Sequence, residues 1–172
     1  MEEVIELAQR AVESFCERGD IIDPPANLPD RLLNDRQGVF VTLKKEGDLR
    51  GCMGTFRPTQ ENIAEEIITN AISAAFRDPR FPPVRSEELN DLQYEISLLS
   101  VPEPVEDTAE LDPKKYGVIA EKGSSRGLLL PDLEGLDTVE QQLAALHRKA
   151  GLPPGEPDVD YKKFTVQKFT GK

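Results

Sequence analysis

Residues 58–76, "PTQENIAEEIITNAISAAF", constrain the fold more than any other stretch. Ile63, Ile67, Ala71 and Ala74 fall on one side of a helix, and Ala64, Ile68, Ile72 and Ala75 fall on the side next to it. Glu65, Glu66, Asn70 and Ser73 are left as a narrow polar strip. A helix apolar over two adjoining faces must be covered, and its alanines let its backbone come close to a sheet. Thr59 is the expected N-cap, with the helix running from Gln60 to Phe76 and Pro79 beyond it as a stop.

The flanking segments supply the sheet. "VFVTLKKEGDLRGCMGTF" reads as a hairpin, with Val39, Val41 and Leu43 alternating, Glu46-Gly47-Asp48 as the turn and a second strand from Leu49. "DLQYEISLLSV" puts Tyr94, Ile96 and Leu98 on one face and Glu95 and Ser97 on the other. "YGVIAE" and "SRGLLLP" are two short strands around Lys122-Gly123-Ser124, and "KKFTVQKF" reads as one closing strand. Amphipathic helices are predicted from Glu2 to Glu17 and from Thr138 to Ala150, ended by Gly19 and Gly151. Cys16 falls on the apolar side of the first and reads as a core residue. In the connector "DIIDPPANLPDRLLNDRQG", three prolines exclude regular structure over most of its length. The order α-β-β-α-β-β-β-α-β is not the regular alternation of a doubly wound fold. The expected class is α+β, a mainly antiparallel sheet packed with helices, as a single domain over residues 1–172.

A formal net charge of −11 opposes binding to nucleic acid through general electrostatics. The opening "MEEVIELAQ" is charged and amphipathic, unlike a secretory leader, and no apolar run is long enough to span a membrane. Two cysteines far apart in sequence suggest no disulfide, and the compartment reads as cytoplasmic.

Chemistry concentrates in "DLRGCMGTFRP", residues 48–58. On a regular strand Arg50 and Cys52 share a face, and a guanidinium beside a thiol favours the thiolate. Gly51 and Gly54 clear the space around the sulfur for a ligand or another backbone. Cys52 is therefore the candidate nucleophile, with Arg50 as anion-binding or pKa-lowering group. The competing reading makes Cys52 a compact filler, the glycines a bulge and Arg50 one half of an ion pair. Asp78 and Arg80, either side of Pro79, form a charged pair at a turn, and Glu95 would meet Arg50 if its strand lay beside that of Cys52. His147, the single histidine, sits at the edge of an apolar stripe and reads as structural. One histidine and two separated cysteines cannot make an ordinary structural zinc site, and no phosphate-binding glycine loop is present, so neither metal nor cofactor is assigned.

"LRGCMGTF", "NAISAAFRDPRFPPV", "EISLLSVPEPV", "GLLLP" and "KAGL" stand in the order seen in the AmmeMemoRadiSam system protein A family, also called the AMMECR-one domain family, which this chain resembles over nearly its whole length. The hallmark segment maps onto Leu49 to Gly54, with Met53 in place of the usual isoleucine. The resemblance implies an α+β fold with a larger and a smaller lobe and the hallmark segment near a groove between them. It implies a shared pathway with Memo-like and radical SAM proteins, but no established reaction. Two functions follow: a small-molecule or partner-binding component that uses Arg50, Gly51, Gly54, Asp78, Arg80 and Glu95, or a cysteine-dependent enzyme that uses Cys52.

Overall fold

In the computed structural model, which describes residues 2–172, the hairpin forms as the alternation predicts. Strands β1 (Val39–Lys45) and β2 (Asp48–Thr55) run antiparallel. Glu46 and Gly47, at φ 54° and 88°, make the two-residue turn. Positive φ at both positions gives a turn whose twist matches the strands it joins. On its other side β1 pairs with β3 (Leu92–Leu99), setting Val41 opposite Ile96 and Leu43 opposite Tyr94. With β8 (Val166–Gly171), the sheet order is β2-β1-β3-β8.

Helix α3 (Ile63–Phe76) lies on β1 and β2, and α1 (Glu2–Arg18) packs on α3. Val41, Leu43, Ile67, Ala71 and Ile96 between them are wholly buried. The polar strip expected on α3 is partly inside. Glu66 and Asn70 are buried because they bond to the strands and to the incoming loop. The Glu66 carboxylate accepts the N–H groups of Thr59 (2.7 Å) and Gln60 (2.8 Å) and the hydroxyls of Thr55 (2.5 Å) and Thr59 (3.0 Å). That arrangement also corrects the helix start. The N–H groups of Thr59 and Gln60 are held by Glu66, so the helix begins later, capped by Asn62, whose side chain accepts from Glu65 N.

The molecule divides into two compact units. One comprises the chain up to Leu98 with Gln167–Lys172, and the other is Leu99–Val166. The second has its own antiparallel sheet of β4 (Glu103–Pro104), β5 (Gly117–Lys122), β6 (Ser125–Leu129) and β7 (Asp160–Phe164), in the order β4-β7-β5-β6. Helix α4 (Val139–Ala150) packs on β5 and β6 around Val118, Ala120 and Leu146. Thr138 caps its start through Gln141 N, and Gly151 at φ 72° ends it.

Two expectations need correcting. "KKFTVQKF" is two strands in different sheets, because Phe164 is buried in one unit and Phe169 in the other. Five residues apart, the two rings could not share one face of a single strand. The proline-rich connector is irregular over most of its length, as expected, apart from one short helix, α2 (Asp30–Asn34), which starts after Pro29 and buries Leu32. Cys16 is half-buried, its Sγ 3.8 Å from the Val84 carbonyl oxygen. Both cysteines are unpaired. No helix among the described residues is long and apolar enough to cross a membrane.

Candidate functional site

The pairing of β1 with β2 slips by one residue. Leu43 faces Gly51 while Lys44 faces Leu49, so Arg50 is the extra residue of a β-bulge. A bulge breaks the in-and-out alternation. Gly51 faces α3, where a methyl group on it would sit 2.1 Å from the Ala74 carbonyl oxygen. Only glycine permits that approach of helix to strand. Arg50 turns to the same side as Lys45 and does not share a face with Cys52 as predicted. Its guanidinium grips Glu88 at 3.0 Å through Nε and again at 3.0 Å through a terminal nitrogen. The other terminal nitrogen donates to the Pro82 carbonyl at 2.9 Å. The hydrogen bond from Arg50, aided by Arg85 N–H and Lys45, holds the Glu88 carboxyl down to about 2 against the cost of its burial. Arg50 thus fastens the loop after α3 to the strand, and its donors are not turned toward the thiol.

Asp78 and Arg80 act directly at Cys52. Strand β2 is a sheet edge, and an edge leaves peptide groups unpaired. The N–H of Cys52 donates to Asp78 Oδ2 at 2.9 Å, and its carbonyl accepts from Arg80 at 3.3 Å. Arg80 donates to both Asp78 oxygens, from Nε at 3.0 Å and from a terminal nitrogen at 2.7 Å. One fork of two side chains therefore replaces a neighbouring strand for this single residue. The Arg80 hydrogen bond, helped by the N–H groups of Cys52 and Arg80, holds the buried Asp78 carboxyl well below the usual carboxylate range.

Because the peptide groups of Cys52 point away from β1, Cys52 and Thr42 form the closer type of antiparallel pair. Thr42 Oγ1 donates to Cys52 Sγ at 3.2 Å. Thr42 in turn lies opposite Glu95 on β3. A row of thiol, hydroxyl and carboxylate thus crosses the face of the sheet away from α3. Strand β1 separates Glu95 from β2, so the expected meeting of Glu95 with Arg50 does not occur. Glu95 pairs with Lys44 at 3.4 Å and Lys168 at 3.2 Å. Gly54 leaves room for the Phe40 ring, whose nearest atom would lie 2.4 Å from an added methyl group. The two glycines therefore accommodate protein atoms of the fold, Ala74 and Phe40.

The sequence reading missed Thr42, Glu88, Lys44 and Lys168. Thr42 was not legible, since the two-residue turn alone would set Val41 opposite Cys52 and only the bulge at Arg50 brings Thr42 there. Nothing local marks Glu88 as the partner of Arg50, because 38 residues separate them. His147 belongs to the second unit, where its ring nitrogens meet the Pro153 carbonyl and the Tyr161 hydroxyl. No group of three or more His, Cys, Asp and Glu residues among those described could hold a metal ion.

Fold and site together define an α+β protein of two antiparallel sheets, with a buttressed edge-strand cysteine beside a row of polar side chains. The chain belongs to the AMMECR1 family, whose model matches residues 5–171. A Thermotoga maritima protein is 52% identical over 166 residues, covering 96% of this chain and 95% of that one. A Clostridium acetobutylicum protein is 44% identical over 96% of this chain but only 34% of its own length, so there the matching stretch is about a third of a longer polypeptide. The crystal structure of an uncharacterized protein from Pyrococcus horikoshii superposes with a TM-score of 0.90 at 38% identity, covering 98% of this chain and 90% of that one.

Proposed function

We propose that the face of the first sheet carrying Thr42, Cys52 and Glu95 is a binding surface for a small molecule or a partner protein, and that its thiol is not a nucleophile. One observation supports this reading above the others: the charged groups near Cys52 are engaged in fixing backbone. Asp78 and Arg80 hold the Cys52 peptide, and Arg50 holds the loop at Pro82 and Glu88. The sulfur receives a hydroxyl hydrogen bond from Thr42, which is not a base that would take up a thiol proton. Such an arrangement suits a rigid platform better than turnover.

The long Clostridium relative supports a partner-dependent role, because a module that works with a companion is naturally found tethered to one. Memo-like and radical SAM proteins are the companions proposed here, in a cytoplasmic setting that keeps the two unpaired cysteines reduced. The test uses the remainder of the Clostridium chain as a separate polypeptide, titrated calorimetrically with this protein and, as a positive control, with the Clostridium chain's own matching third. Cys52→Ala should bind within about twofold of the parent, whereas Asp78→Ala, which frees the edge strand, should weaken binding at least about tenfold. Loss of binding in Cys52→Ala alone would favour the thiol-centred alternative.

A further inference from the structure

The second unit contains a cavity of about 390 Å³ that the family and the Cys52 surface leave without a role. Leu143 and Ala144 of α4, with Leu152 and Pro154 of the loop that follows, form its apolar walls. His147, only 7% exposed, and the half-buried Tyr161 supply its inner polar groups. The loop is preformed. Gly151 and Gly155 take φ 72°, Pro153 and Pro154 stiffen the chain between them, and Lys122 ties down Glu156 at 2.5 Å.

Proton positions follow from the partners. His147 Nδ1 lies 3.0 Å from the Pro153 carbonyl oxygen, which can only accept, so Nδ1 carries the proton. In the neutral ring Nε2 then accepts, and the Tyr161 hydroxyl 2.5 Å away donates to it. Burial pushes the Tyr161 phenol up, so it remains a donor at neutral pH. With its proton directed at His147, the phenolic oxygen keeps lone pairs for a further donor. Glu140, Arg148 and Glu156 at the mouth carry mixed charge, which selects neither an anion nor a cation.

We propose that this cavity binds a small neutral molecule with an aromatic or branched aliphatic body and one hydroxyl group, the hydroxyl donating to the Tyr161 oxygen. The volume falls in the lower part of the range of small-molecule pockets, and apolar walls around one oriented acceptor fit that chemistry. The chain's single histidine gives an unobscured reporter, since its ring C–H signals stand alone in a carbon–proton NMR spectrum.

Titration with 4-methylphenol should shift those signals saturably, with a Kd on the order of 1 mM. Its methyl ether, 4-methylanisole, has the same body without the donor and should bind about fivefold more weakly. Tyr161→Phe should abolish that preference, and Ala144→Trp, which fills the cavity, should abolish binding of both. If Tyr161→Phe fails to fold, Ala144→Trp carries the test. Absence of a saturable shift, equal binding of the two probes, a preference that survives Tyr161→Phe, or binding that survives Ala144→Trp would each overturn the proposal.

Discussion

Residues in this molecule hold one another by carboxylates placed where peptide groups lack partners. Glu88 shows how that affects stability. Its folded pKa of about 2 lies below the ordinary carboxyl value of 4.5. The stabilisation is therefore complete above that ordinary value and is lost as pH falls through the folded one. Urea unfolding should show Glu88→Gln less stable than the parent by about 2 kcal/mol at pH 7, with a smaller loss of stability between pH 4.5 and 2. Parallel pH curves for the two proteins would contradict the Arg50–Glu88 grip. Glu66→Ala should cost roughly 2 kcal/mol, by removing the buried carboxylate that holds two N–H groups and a hydroxyl of the loop before α3 and the Thr55 hydroxyl of β2. Of these partnerships only Asp78 with Arg80 was legible in the sequence, because the two residues flank a proline. Glu66 reads as part of a solvated strip on a helix, since helical periodicity cannot tell a solvated carboxylate from one buried against a loop.

At the scale of elements, α3 and the β1–β2 hairpin are one packed piece. Their pairing was readable from two adjoining apolar faces and from alternation in Val39, Val41 and Leu43. The bulge at Arg50 was not, because nothing in the local pattern marks a single extra residue, although it reverses the faces of Arg50 and Leu49 relative to Cys52. That slip separates the predicted Arg50–Cys52 site from the observed one. The contact between α3 and β2 depends on Gly51, where an added methyl group would meet the Ala74 oxygen at 2.1 Å. Gly51→Ala should destabilise by roughly 1–3 kcal/mol, by thermal or urea unfolding, and Ala74→Leu by a similar amount. A neutral Gly51→Ala would mean that the helix is not seated on this strand.

For the whole molecule, the α+β class and antiparallel pairing followed from element order, whereas the division into two units did not. A chain that leaves one unit after Leu98 and returns at Gln167 gives no local signal beyond the offset between Phe164 and Phe169. A protein ending at Val166 should accordingly show faster amide exchange in β3, which loses β8 as a neighbour, with β5 unchanged. The central claim is that the Cys52 surface binds and its thiol does not react, and alkylation kinetics test it most directly. In a Cys16→Ser background, iodoacetamide at pH 7.5 should modify Cys52 no faster than it modifies glutathione, because the sulfur is half-buried and hydrogen-bonded to Thr42. A Cys52 rate about tenfold above that of glutathione, and reduced by Arg80→Met, would contradict the account and make the thiol a nucleophile.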